Sequence, residues 1–85
     1  YLDHIRHADF ITCLVALADK LHNARAILTD YKQIGDKLWS RFNAGKKEQL
    51  WYFRNLVNAF KESPAPSQMV KDFDQAVTEL EKLAA

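Results

Sequence analysis

Leu17-Ala18-Asp19-Lys20-Leu21-His22-Asn23-Ala24-Arg25 sets a carboxylate and an amide into a stretch with the spacing of a core-facing helix. At 100° per residue, Leu14, Leu17, Leu21, Ala24 and Leu28 fall within roughly 40° of one meridian, the stripe by which a helix packs. Asp19 lies on the other side. Within about 60° of it sit Thr12, Val15, Ala16, His22, Asn23, Ala26 and Asp30, so its face is small and mixed where the opposite face is leucine. A helix clothed on both sides is central to its domain, and Asp19 is therefore expected to be partly buried. Desolvating a carboxylate is costly without a partner, which could be an arginine or lysine, the N–H groups of a helix end, or a metal ion. From spacing alone, a structural ion pair outweighs a metal, because buried carboxylates are mostly paired for structural reasons.

The chain outward from this helix reads as helices throughout. Residues 1 to 8 form a short helical piece with Leu2 and Ile5 at i, i+3. His4 and His7 share that spacing, which could seat two imidazoles on one metal, but two surface histidines near a helix end is the simpler account. Asp9 is suited to cap the central helix, which is expected from Phe10 to Leu28 or slightly beyond. His22 is expected in the core or behind a site rather than on a metal, and Arg25, about 120° from Asp19, is too far round to pair with it. Gly35-Asp36 suggests a break and a second cap, followed by a short helix from Lys37 to Asn43 that Gly45 would close in a left-handed conformation. A further helix is expected over 46–62, with Leu50, Phe53, Val57 and Phe60 at its core and Trp51, Leu56 and Ala59 widening the apolar face. Ser63-Pro64-Ala65-Pro66-Ser67 is a stiff linker. After it Val70, Phe73, Val77, Leu80 and Ala84 repeat at 3-4-3-4, an amphipathic helix packing back on the domain, with dimerisation through that seam the lesser alternative.

The nine residues from Leu17 to Arg25 resemble the late motif of HD-domain metal-dependent phosphohydrolases, in the branch similar to the hydrolase domains of RelA/SpoT-type alarmone enzymes. The stretches Leu38-Trp39-Ser40-Arg41-Phe42-Asn43-Ala44-Gly45-Lys46 and Leu50-Trp51-Tyr52-Phe53-Arg54 look like stand-alone bacterial members of that group. The resemblance spans roughly residues 1–62 and implies an all-α, HD-domain-like helical bundle. It further implies that Asp19 ligates a divalent metal, Mn²⁺ in this branch, and that Asn23, one turn on, faces the sugar of a bound nucleotide. The implied reaction is attack of metal-activated water on a phosphate ester or phosphoanhydride of a nucleotide or related phosphorylated small molecule. Two departures stand out. The chain has no His-Asp dipeptide, so the other ligands and the catalytic base that the family carries are missing from it. Ala26 stands where alarmone-hydrolysing members carry Thr or Asp, which touches the choice of substrate and not the metal.

Length and composition agree with a domain incomplete on its N-terminal side. The 85 residues make one domain at most, and 48% hydrophobic with 12% aromatic residues is more apolar material than so short a bundle easily hides. The expected organisation is 1–62 as the C-terminal part of an HD-type domain, 63–67 as linker and 68–85 as a terminal amphipathic helix. Cys13, the single cysteine, reads as a small buried hydrophobe and fits a reducing cytoplasm. No apolar run is long enough for a membrane span. Lys32, Lys37, Arg41, Lys46, Lys47 and Arg54 against Asp36 and Glu48 give residues 32–54 a local charge of +4, whereas residues 62–85 carry −3. A basic middle can steer a phosphorylated substrate, though an ordinary solvated face explains it more simply. With a total net charge of +1 and aromatics at core spacing, nucleic acid is a poor candidate partner. The competing function is a non-catalytic helical interaction module.

Overall fold

The computed structural model describes all of residues 1–85 and contains helices and turns without a strand. Its longest element, α2 (Phe10–Ile34), begins where Asp9 caps it: the Asp9 carboxylate accepts the Thr12 N–H at 2.8 Å, satisfying a free first-turn donor. The helix continues past Leu28 because nothing before Gly35 stops it, and Thr29 folds its hydroxyl back to the Arg25 carbonyl at 3.0 Å. Gly35 then ends it at φ 63°, ψ −145°, a conformation that L side chains rarely adopt, with its N–H on the Tyr31 carbonyl.

Ahead of α2, α1 (Leu2–His7) lies against α3 and buries Ile5. Beyond α2 the chain departs from expectation. Gly35–Arg41 is a 3₁₀ helix rather than an α-helix from Lys37 to Asn43, and Asp36 lies inside its first turn instead of capping it. Asp36 receives the Tyr31 hydroxyl at 2.8 Å and the Trp39 indole N–H at 3.2 Å, two donors that hold its carboxyl below the usual range. That bridge and the burial of Leu38 and Trp39 favour the tighter coil. Gly45, too, differs: with φ −75° and ψ 178° it is extended and serves as the N-cap of α3 (Lys46–Lys61), not as a left-handed cap on the preceding turn. Ser63 closes α3 by donating to the Phe60 carbonyl at 2.7 Å, and Pro64 and Pro66 then carry the chain into α4 (Ser67–Ala84).

Four helices share the main core. Leu17, Leu21 and Ala24 of α2 meet Leu56, Val57 and Phe60 of α3 and Val70, Phe73 and Val77 of α4, with Ile5 closing one end. Phe73 sits edge-on to both Phe60 (centroids 5.9 Å apart) and Phe53 (6.3 Å), the arrangement that aromatic quadrupoles prefer. A smaller cluster of Leu28, Trp39, Leu80 and Ala84 fills the other end. The leucine stripe of α2 and the seam of α4 thus face each other. Trp51 does not join them and is 62% exposed, because it lies about 160° round the helix from Phe53. No helix is long and apolar enough to cross a membrane.

Candidate functional site

Because α3 and α4 pack mainly toward the leucine side of α2, no element covers Asp19 itself. The Asp19 side chain is 63% exposed, not partly buried, and its one ion contact is Lys20 Nζ at 3.9 Å. Val15 and Ile11, one and two turns before it, are 66% and 63% exposed, and His22, Asn23 and Ala26 after it are exposed as well. The wheel placed these residues together correctly. Their burial depended on another layer, which this chain does not supply.

Lys20 anchors the surroundings of Asp19. Its ammonium lies 5.4 Å from the centre of the Tyr1 ring, within cation–π range, and its side chain is only 21% exposed. Burial first, then the charge of Tyr52 and of Asp19, pushes the Tyr1 phenol above its ordinary value, which places Tyr1, Tyr52, Asp19 and Lys20 in one neighbourhood. Burial does the same to Tyr52.

Asn23 opens onto a cavity of about 350 Å³ between α2, α3 and the turn after the 3₁₀ helix. Lys20, Ala26 and Ile27 line it from α2; Phe42, Gln49, Tyr52 and Phe53 line it from the other side. Of these, the sequence reading singled out Asn23 and Ala26 alone. The signal for the rest was present as Lys20, Asn23 and Ile27 at i, i+3, i+7 and Gln49 with Tyr52 at i, i+3, but which faces meet is a tertiary fact. A second, apolar cavity of about 400 Å³ lies between α1 and α2, with Ile5, Ile11, Cys13 and Val15 among its walls. Cys13 is fully buried there, its thiol directed at the Ile5 carbonyl at 3.4 Å.

The remaining candidates do not converge. His7 Nδ1 is 2.9 Å from the Asp3 carbonyl, whereas His4 lines the apolar cavity. No three His, Cys, Asp or Glu side chains come together as a metal-ligand set. Asp19 is an exposed carboxylate able to serve as one ligand, but a hard cation takes six or more oxygens, so this chain's residues do not make a metal centre by themselves. Among the cations of residues 32–54, Arg41 pairs with Asp30 at 2.8 Å, Lys32 with Glu79 at 3.0 Å and Arg54 with Asp74 at 2.8 Å. That leaves little of the basic excess for steering. Compared with protein-family models and with curated proteins, the chain matches none.

Proposed function

We propose that these residues form the Asp19-bearing part of an HD-type phosphohydrolase that acts on a nucleotide or related phosphorylated small molecule. Asp19 would supply one ligand to a divalent metal, Mn²⁺ by resemblance, and the other ligands and the base would come from residues outside these 85. Asn23 would contact the substrate. The observation that carries this reading is the bare α2 face, where Asp19, His22 and Asn23 stand in the open, flanked by exposed Ile11 and Val15. An apolar surface of that kind beside an exposed carboxylate is what a further helical layer would cover. A lone reduced cysteine accords with a cytoplasmic setting.

The test is phosphate release from nucleotides by the full-length gene product with Mn²⁺, together with its metal content. Hydrolysis that Asp19→Asn abolishes, with helicity kept and metal lost, is the expected result. Wild-type turnover and metal content in Asp19→Asn, or no Mn²⁺-dependent hydrolysis in the parent, would remove the proposal.

One observation favours a second reading. Ile11 (63% exposed) and Val15 (66% exposed) form an apolar surface on α2 that could serve a non-catalytic interaction module without any contribution from Asp19. Substitutions at Ile11 and Val15 would then abolish partner binding while Asp19→Asn left it intact.

A further inference from the structure

A single short linker ties α4 to everything before it. Its buried residues, Val70, Phe73, Ala76, Val77, Leu80 and Ala84, pack chiefly on α2 and α3. Polar contacts add direction: Arg54 holds Asp74, Thr78 and Glu81, Lys61 reaches Asp74 at 3.2 Å, and Lys32 reaches Glu79 at 3.0 Å. Each of these contacts joins α4 to a residue ahead of the linker, so none depends on which copy of the chain supplies the helix. A groove shaped for this α4 is equally shaped for the α4 of a second copy, and exchange of an identical element is a low-cost route to a dimer.

The linker decides between the two. Glu62–Pro66 are the five positions between α3 and α4. Pro64 and Pro66 bias Ser63 and Ala65 before them toward extended backbone, and a proline-rich run favours the polyproline form, a semi-rigid spacer of about 3 Å per residue. Pro66 is already close to it at φ −58°, ψ 127°. Ser63 holds the bend: its hydroxyl donates to the Phe60 carbonyl at 2.7 Å and accepts the Ala65 N–H at 3.2 Å, and its own N–H reaches the Phe60 carbonyl at 3.1 Å. Otherwise the linker sets Ala65 against the core and pairs Glu62 with Arg6, a contact that stays with α3 and α1 in either arrangement. Straightening the linker therefore breaks few contacts that a second copy does not restore, and the two prolines bring no N–H groups with which to secure the bend.

We infer that the groove between α2 and α3 is a docking surface for the α4 of a second copy: with the linker extended, two chains trade α4 helices about a twofold axis, and each Arg54 grips the partner's Glu81 and the partner's Asp74. Each half of such a dimer repeats the packing of the closed monomer, so concentration sets the balance between them and release of α4 sets the rate. Asp19 lies on the side of α2 away from the leucine stripe, 63% exposed, and the exchange leaves it untouched. The inference goes beyond the phosphohydrolase reading and is tested without any reaction.

Refolding the chain from urea at millimolar protein, followed by size-exclusion chromatography with light scattering, tests it. A species of twice the chain mass with unchanged helical circular dichroism is expected, and it should revert to monomer only slowly after dilution. Ser63→Ala, which removes both side-chain bonds of the bend, should raise the dimer-to-monomer ratio about tenfold. Pro64→Gly combined with Pro66→Gly, which lets the linker turn freely, should lower it by a similar factor. Charge reversal then identifies the contact. Arg54→Glu and Glu81→Arg each set like charges together in a closed monomer, whereas an exchanged dimer of one with the other restores an opposite pair in both grooves. Refolded together, the two variants should form heterodimer well above its statistical share by native mass spectrometry, with a melting temperature above that of either alone. Parent and Ser63→Ala that both stay monomeric would overturn the inference. So would a dimer in which the charge-reversed variants pair only at the statistical share, since the copies would then meet through another surface with α4 in place. Should Arg54→Glu fail to fold even in the mixture, the Ser63 and proline variants decide, and an unchanged ratio in both overturns the inference as well.

Discussion

The Arg54 guanidinium on α3 grips the Glu81 carboxylate on α4 with two nitrogens, Nε to Oε2 at 3.2 Å and Nη2 to Oε1 at 2.5 Å. Nη1 reaches Asp74 Oδ1 at 2.8 Å, and Thr78 joins both, accepting from Arg54 at 3.0 Å and donating to Asp74 at 3.2 Å. Lys61 adds a second cation to Asp74 at 3.2 Å. The side chains of Arg54 and Asp74 are each about 30% exposed, so this cluster is sheltered more than an ordinary surface pair. The bidentate fork sets the register of α4 on α3, while the apolar seam supplies the bulk of the attraction.

Arg54→Met should therefore cost more than loss of a surface pair. Removing the guanidinium leaves Asp74 with Lys61 and Thr78, and Glu81 without its cation. A loss of about 1–2 kcal/mol in urea-derived stability is expected. Arg54→Lys should recover only part of it, because an ammonium cannot bond both carboxylates in the planar, forked geometry.

Acid should weaken the same contact. The Arg54 hydrogen bond, against the opposing effect of burial and with help from Lys61 and Thr78, holds the Asp74 carboxyl below its ordinary value. A depressed folded-state value means that the contribution is complete above about pH 4, where the unfolded chain's aspartates are ionised. It is lost as pH falls from there through the folded value. Urea midpoints measured downward from pH 5 should decline less steeply for Asp74→Asn than for the parent. Equal slopes would show that Asp74 carries no linked proton.

Two glycines should respond oppositely. Gly35 holds φ 63°, so Gly35→Ala is strained although space for a methyl is open, and a cost of about 1–2 kcal/mol is expected. Gly45 has an ordinary negative φ, open space around it and no side chain to cap α3. Gly45→Ser would complete a capping box with Glu48, three residues on, and should add about 0.5 kcal/mol. Melting temperatures of the two variants, shifted down and up respectively, check both.

Several features of this protein were legible in its sequence because they depend on local geometry. The leucine stripe of α2, the Asp9 cap, the span of α3 and the 3-4-3-4 seam of α4 all follow from a helical period and from which residues satisfy or lack backbone partners. Even the grouping of Asp19 with His22, Asn23 and Ala26 on one face was available from the wheel. The 3₁₀ turn was not, because it is set by Asp36 meeting Tyr31 and Trp39 once those side chains are placed. Nor was the exposure of Asp19. Periodicity states which residues share a face, but whether anything stands against that face depends on how many other elements must share the core, and here α3 and α4 both pack on the leucine side. The cavity holding Lys20, Asn23, Gln49 and Tyr52 belongs to the same category, since its walls come from segments fifteen or more residues apart that only tertiary packing brings together.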